Sequence, residues 1–330
     1  MHYLLLFFLL ILTSCTGQGD SSGKSKSRQA SIGQPSEVVL IVGNGISGTD
    51  VVDSLENLLT ANVPGLNQGE DYFRLSRIPS SMDKGEFRKI HSRVLVKLDP
   101  NAKHTTLGTA NDVYAHPQRQ LLISGPSLDQ LRSFITAHAD DIRQQLLDNQ
   151  LTMQASYLRT HHSDAMRRDL HALFRRSVDA PEEIQFTKRG TDFLWGSSRT
   201  TEKQLNMVFF KAPLPTQTPS DPETLLASLC YTRDSVLQVN IPGDQPDQWM
   251  ETVWEHDMPL VLVRQCNDTL IELRGLWQMH NGAMGGPFVA RCHLNPKTST
   301  LFWTEGFVYS PSTTKRDLVR RLEAALRTFR

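Results

Sequence analysis

The sequence predicts an α+β fold of mainly antiparallel sheets with packed helices, arranged as two sub-domains or layers. Two observations carry that expectation. Apolar runs of strand length follow one another in groups, each group closed by a helical pattern rather than alternating with helices one for one. The chain also has 330 residues, 39% of them hydrophobic and 21% charged, enough for two cores of ordinary size.

In the first group, Glu37 to Val42 is a short β-branched run, hence a buried strand. Thr49 to Leu59 then places Val51, Val52, Leu55, Leu58 and Leu59 on one helical face. The segment VPGLNQGED, residues 63–71, is a loop marked by proline and glycine. His91 to Leu98 alternates like a half-buried strand, and Asp112 to Ser124 is a second extended stretch. Ser127, with Gln130 three residues on, opens a helical pattern that continues to about Phe174 with a break near His161. The order reads strand, helix, strand, strand, long helix.

The second group starts after Pro181. Ile184–Thr187, Phe193–Gly196 and Leu205–Lys211 read as strands, and Pro222 to Val239 as a helix. Trp249–Trp254, Leu260–Arg264, Leu270–Gln278, Phe288–His293 and Leu301–Tyr309 read as further strands. A last helix presents Leu318, Leu322, Ala325, Leu326 and Phe329 on one face, with Thr314 and Asp317 spaced as a capping box. The expected organisation is a signal peptide at 1–14, a lipidated flexible tether at 15–35, and α+β domains at 36–178 and 179–330.

The leader is the most informative segment. Tyr3 to Leu12 is an unbroken apolar run of ten residues. A membrane-spanning helix needs roughly 20, so this run suits the hydrophobic part of a signal peptide. Leu12-Thr13-Ser14-Cys15 has the layout of a bacterial lipobox, which makes Cys15 the expected lipid attachment site. Several acyl chains anchor stably where one would be marginal. Thr16 to Pro35 is rich in Ser, Gly, Lys and Gln, and as a coil it would span about 25 Å. No acidic cluster follows Cys15, which favours a periplasm-facing anchor; the expected location is the cell envelope, on the periplasmic side of the outer membrane, with the inner membrane left open. Lys plus Arg equals Asp plus Glu at 35 each, so the basic excess expected of a nucleic-acid binder is missing.

Gly43, Gly45 and Gly48 have the spacing of a dinucleotide-binding turn after the first strand. That reading requires a second strand after the helix, ending in an acidic residue about 20 residues on. The sequence offers Glu70 and Asp71 in a loop with no apolar strand before them, so no nicotinamide or flavin cofactor is expected. No Cys-x-x-Cys or His-Glu-x-x-His occurs, and no metal or catalytic residues are assigned. Cys230 reads as a buried helical residue, whereas Cys266 and Cys292 end strand-like runs that could be neighbours, with a disulfide left open.

The densest stretch is Glu272 to Phe288, ELRGLWQMHNGAMGGPF. Arg274 and Trp277 are candidate anchors for a ligand or partner, with Gly285 and Gly286 presenting backbone N–H groups. The same residues also make an ordinary hairpin around a packed Trp277. His91 and Arg93 complete the candidate surface.

Two long segments, RGLWQMHNGAMGGPFV and EGFVYSPSTTKRDLVRRLEAAL, resemble a family of uncharacterised Bacteroidetes lipoproteins. VPGLNQ, HPQ, TRDSV and IPG match as well, and the likeness spans nearly the whole mature chain. The chain departs from that pattern at His91-Ser92-Arg93, where the family tends to have His-Arg-Asn, and in carrying the glycine motif. The resemblance implies an envelope lipoprotein and brings no activity, cofactor or site residue. The functional expectation is therefore a membrane-anchored module that binds an envelope protein or ligand. The alternative is a periplasmic hydrolase of envelope polymers, whose sign would be a cleft where His91, Arg93 or Arg274 meets a Glu or Asp.

Overall fold

The computed structural model describes residues 29–214, 221–254, 261–267 and 269–330. The expected signal peptide, the lipidation site Cys15 and tether residues 16–28 lie outside the described residues. Strand pairing already involves residues before Glu37. β1 (Gln29–Ala30) pairs in parallel with β6 (Ala115–His116), and Ile32 bridges to Ile90, so the end of the tether segment is part of the fold.

The first sheet holds β2 (Glu37–Val42), β3 (Arg74–Pro79), β4 (Ser92–Leu98), β5 (Thr106–Asn111) and β7 (Arg119–Gly125). Their order is β3-β2-β4-β7-β5. Four of these strands run parallel and only β5 is antiparallel, so the antiparallel expectation fails for this half. The physical reason is that β3 and β5 are edge strands. RLSRIP buries only Ile78 fully and TLGTAN buries nothing fully, so neither shows the apolar pattern of an interior strand.

α1 (Asp50–Leu59) crosses from β2 to β3 and buries the five apolar residues that its spacing selects. α2 (Leu128–Ala137), α3 (Ala139–Leu158) and α4 (Asp164–Phe174) follow. Ser127 and Ser163 cap α2 and α4 by accepting from Gln130 N and Met166 N.

The second sheet is antiparallel throughout, as expected. It comprises β8 (Phe186–Arg189), β9 (Phe193–Ser197), β10 (Gln204–Pro213), β11 (Met250–Thr252), β12 (Val261–Asn267), β13 (Leu270–Met279), β14 (Gly285–Asn295) and β15 (Thr300–Tyr309). The order is β11-β13-β14-β15-β10-β9-β8, with β12 also paired to β13. α5 (Pro222–Asn240) covers one face, capped by Asp221, and α6 (Arg316–Arg327) covers the other. α3 packs against both α6 and the first sheet, giving the layers sheet, α3, α6, sheet, α5. One hydrophobic cluster runs from Val38 and Leu40 through Leu146 and Leu151 to Leu322 and Val308, so both halves share a core. A second cluster lies between the antiparallel sheet and α5.

α6 does not start with the expected capping box. Its first turn is capped from the other half of the chain, where the buried Glu70 carboxylate accepts from Lys315 N at 2.7 Å and Arg316 N at 2.9 Å. Asp317 instead accepts from the Ser36 hydroxyl and pairs with Arg74. Cys266 and Cys292 are on strands separated by β13, so their backbones stand about 9–10 Å apart, beyond the ~7 Å reach of a disulfide. Cys292 is a free buried thiol, as is Cys230.

Candidate functional site

The glycine turn sits at the carboxyl end of β2, at the head of a parallel sheet, with a parallel β3 after α1. The strand missing from the sequence reading is therefore present. The chemistry of a dinucleotide seat is not. Ile46 fills the inside of the turn and is fully buried, and Gly43 N donates to Val96 O. The first turn of α1 carries Asp50 and Asp53, whose charges complement the helix dipole in the place where a phosphate would sit. β3 ends at Pro79 and Ser80 without a carboxylate, and Glu70 is committed to α6. Gly45 and Gly48 have φ of +78° and +75°, which accounts for glycine at both positions.

The six candidate surface residues separate into different environments. His91 is buried between Ser92 and the loop before β2. Its Nε2 donates to Gln34 O at 3.0 Å, and Nδ1 then accepts from the Ser92 hydroxyl at 2.9 Å. Burial lowers its pKa, against the smaller opposing effects of the Gln34 carbonyl and Glu37. Arg93 is 1% exposed and spends its donors on Gln120 Oε1, Phe87 O and Asp83 Oδ1, pinning the segment before β4 to the sheet. Arg274 pairs with Glu323 of α6 at 2.6 Å, and Gly65 of the VPGLNQ loop lies so close that a Cβ there would fall 2.9 Å from Arg274 Cβ. Arg93 and Arg274 thus each meet a carboxylate, in two separate buried contacts rather than in one cleft.

Trp277 and the glycines lead to a different place. α5 covers the antiparallel sheet only as far as Asn240. Beyond its end, the exposed part of the sheet face and two loops enclose a cavity of about 310 Å³, within the size range of small-ligand pockets. Its walls are aromatic, from Trp195, Trp277, Phe307 and Tyr309 on β9, β13 and β15, with Met250, Met279 and Met284 at the rim. Trp277 donates from Nε1 to Val308 O at 3.2 Å and meets Phe307 edge to face. That contact depends on Gly286, where a Cβ would lie 2.1 Å from Val308 O. Gly285 and Gly286 serve the packing of β14 under the Trp277 ring.

The two rim loops are tied together. Gln248 Nε2 donates to Asn281 O at 2.9 Å, Asn281 Nδ2 donates to Asp247, and Trp249 stacks on His280 at 4.1 Å. At the floor, Asn206 is 1% exposed. Its Oδ1 accepts from Trp195 Nε1 at 3.1 Å and from Gln204 Nε2 at 3.4 Å, while its Nδ2 has no partner. A buried amide N–H2 without an acceptor costs about 1–3 kcal/mol. The nitrogen lies behind the aromatic wall with no accessible surface, so a ligand carbonyl reaches it only where the covering side chains move aside.

Between α5 and the same sheet lies an ionic network whose central pair is fully buried. Arg233 of α5 meets Glu305 of β15 in a two-pronged contact at 2.7 and 2.8 Å, and also reaches Asp234 and Thr252. Trp303 Nε1 donates to the same carboxylate at 2.8 Å, and the Phe288 ring lies 4.2 Å from the guanidinium. Burial works against the Arg233 charge, but Glu305 and Asp234 outweigh it and raise its pKa. Burial pushes the nearby Cys230 thiol up to about 12, which keeps it protonated and inert.

The groove was only partly legible in sequence. Trp277 was a candidate, but Asn206 and Trp195 carry no motif, and only strand pairing sets them opposite Trp277. Four segments of the family resemblance converge here. TRDSV supplies Arg233, IPG and MHNGAM supply the rim, and EGFVY supplies Glu305, Phe307 and Tyr309.

The architecture is that of a two-sheet α+β protein with an aromatic cavity at the uncovered end of its antiparallel sheet. The chain belongs to the family described as a domain of unknown function, DUF4837, whose model matches residues 163–328 and so contains the whole groove. Residues 31–159 match a second domain of unknown function, DUF8532. No curated protein matches the chain. Among solved structures, the Ran-binding protein Mog1p of Saccharomyces cerevisiae is similar at 12% identity, over 47% of this chain and 89% of that one. Its TM-score of 0.31 is too low for the likeness to carry an argument.

Proposed function

We propose that the chain is a lipid-anchored cell-envelope protein of the Bacteroidetes type, held on the periplasmic side of the outer membrane through Cys15, and that its antiparallel sheet is a binding module. The observation that carries the binding role is Asn206 Nδ2, a buried donor without a partner at the floor of an aromatic cavity. The ligand class it suits is a flat or apolar group bearing a hydrogen-bond acceptor, such as a peptide or amide carbonyl. The lipobox, the polar tether and the even charge balance support the location. Among the described residues no helix is long and apolar enough to cross a membrane.

Two arms of one experiment test this reading. Replacement of Cys15 with Ala should move the protein from the membrane fraction to the soluble periplasmic fraction, and a Cys15→Ala variant that still pellets with membranes refutes the anchor. Native mass spectrometry of the full chain purified from its own cells should show a bound small molecule. Filling the groove from its exposed rim with Ala283→Trp should abolish that mass. A wild type that carries no adduct, or an Ala283→Trp variant that carries the same adduct as the wild type, would refute the binding role.

A further inference from the structure

A second concave site lies at the other end of the antiparallel sheet from the aromatic cavity, and on its other face. On this face α6 and the residues after it cover β10, β14 and β15, with the Phe329 ring 5.1 Å from Phe302 and 5.2 Å from His293. Past Phe329, the ends of these strands, the turn after α4 and the β14–β15 turn enclose a groove of about 650 Å³. Lys211, Phe302 and His293 stand side by side across β10, β15 and β14, so they share this face. Arg176 joins them from the turn after α4, and Lys297 from the β14–β15 turn.

The chain has as many acidic as basic residues, yet this groove carries one sign of charge. Arg176, Lys211 and Lys297 line it, and among the described residues no carboxylate does. None of the three takes part in an ion pair among the described residues. Cations nearby are paired: Arg291 holds Glu272 at 2.9 Å and Leu326 O at 3.0 Å, and Arg330 holds Asp179 at 3.4 Å. The field is felt at His293. Burial holds its pKa down to about 4, and Arg291 and then Arg176 push it the same way, whereas at His91 the acid Glu37 acts in the opposite direction. His293 Nε2 is buried inside the wall, so the ring senses the charge of the groove without being a ligand contact.

Both turns that carry the cations are fixed by the fold. Arg175 ends α4 with φ of +56° and its N–H on His171 O at 3.0 Å, and Ser177 exchanges two main-chain hydrogen bonds with Arg330 at 2.9 and 3.1 Å. Arg176 therefore stands between two anchored residues. In the other turn Asn295 Oδ1 accepts from Lys297 N at 3.1 Å and Thr298 N at 3.3 Å, and Ser299 O accepts from Leu214 N at 2.9 Å. The floor is apolar, with Phe174 edge to face on Phe302 at 5.0 Å and Lys211 Nζ 5.5 Å from the Phe174 ring centre. Like charges held in a concave site focus their potential, and a site already in place loses little entropy when it binds.

We infer that this groove binds a phosphate ester, with Arg176, Lys211 and Lys297 around the phosphoryl group and the esterified group resting on the Phe174–Phe302 floor. A phosphoryl group carries about two negative charges and three acceptor oxygens, which three cations match better than they match a lone carboxylate. The planar guanidinium of Arg176 suits two of those oxygens at once. The volume exceeds what a bare ion fills and leaves room for the attached group. The same chemistry is found in soluble phosphate esters and in phospholipid headgroups. The inference depends neither on the aromatic cavity nor on the lipid anchor.

The test uses the full chain in non-ionic detergent at low ionic strength, titrated separately with phenyl phosphate, glycerophosphoglycerol and benzoate. Calorimetry reads the affinity, and the His293 ring-proton NMR signal followed against pH reads the location. The expected result is saturable binding of a phosphate ester that raises the His293 pKa, because an anion in the groove offsets Arg176. Binding should weaken roughly tenfold or more in the double variant Lys211→Gln, Lys297→Gln. Both lysines are exposed, so the double variant should retain the wild-type circular dichroism. Lys103→Gln, which removes an exposed charge from the β4–β5 loop, should bind as the wild type does. Tighter binding of phenyl phosphate assigns the site to soluble esters, tighter binding of glycerophosphoglycerol assigns it to a phospholipid headgroup, and either supports the inference. Absence of saturable binding of both esters, binding that leaves the His293 pKa unmoved, or benzoate bound as tightly as the better ester would overturn it on the wild type alone. Equal affinity in the double variant, or an equal loss in Lys103→Gln, would overturn it as well.

Discussion

Replacing Glu305 with Gln should be among the most costly single-atom changes in the protein. The carboxylate collects Arg233 Nε, Arg233 NH2 and Trp303 Nε1 at 2.7–2.8 Å, and both Arg233 and Glu305 are 0% exposed. Gln keeps the shape but removes the charge and turns one acceptor into a donor facing a donor. Breaking one side of a buried pair costs about 3–5 kcal/mol, because the other charge is left uncompensated. Asp234 at 2.9 Å and the Phe288 ring at 4.2 Å still support the guanidinium, which sets the expectation at the lower end, about 3 kcal/mol. The double variant Arg233→Met, Glu305→Leu removes both charges and should lie within about 1 kcal/mol of wild type or above it. Urea unfolding followed by circular dichroism, with unchanged slopes, measures Glu305→Gln, the double variant and its two single components, Arg233→Met and Glu305→Leu, and so the coupling between the sites. A loss below about 1 kcal/mol in Glu305→Gln, or a double variant as costly as the sum of its parts, would refute the account of the network.

Two further outcomes follow from other parts of the fold. Glu70→Ala uncaps the first turn of α6 from across the junction and should cost about 1–2 kcal/mol, read by urea unfolding together with faster hydrogen exchange at Lys315 and Arg316; unchanged exchange at those two amides would contradict the trans cap. His293 is held near pKa 4 by burial, then by Arg291 and Arg176, against an ordinary value near 6.5. Its folded-state pKa is therefore depressed, so the unfolded chain takes up a proton between those values that the folded chain refuses. Stability from this residue is complete above about pH 6.5 and is lost as pH falls towards 4, by about 1–2 kcal/mol after allowance for its partial exposure. His91 is shifted in the same direction. Only the loss of part of this acid slope in His293→Asn, measured as urea midpoints across that window, isolates the effect, and an unaltered slope in the variant would exclude His293 as a source.

Interior elements were legible because their side chains repeat at the period of their backbone. Val51, Val52, Leu55, Leu58 and Leu59 could be read straight off α1, and the long strands β10, β13, β14 and β15 are apolar along much of their length. β3 escaped notice because an edge strand need bury only one residue in six, here Ile78. Without β3 the first half reads as antiparallel, and the glycine turn loses the parallel neighbour it in fact has. The α6 cap escaped for another reason. Local rules look three residues along the chain, from Thr314 to Asp317, whereas the actual acceptor, Glu70, is 245 residues away. Asn206 gives no signal at all in sequence, since its role comes from a partner it lacks.

α6 shows how far a correct periodicity can mislead about environment. Its apolar face is where the sequence places it, on β10, β14 and β15. The opposite face, rich in arginine, would ordinarily be assigned to solvent. In the structure that face supplies the bonds that join the two halves. Arg316 donates to Asp71 O, Arg320 to Ser36, and Arg327 to Asp148 of α3, while Asp317 holds Arg74. A helix can bury a charged face only where each charge finds a partner. Arg316, Arg327 and the aspartate do so by reaching a main-chain carbonyl, a carboxylate and the β3 arginine Arg74. Arg320 is met instead by the Ser36 hydroxyl, the Gln150 amide oxygen and the faces of the Tyr72 and Phe73 rings.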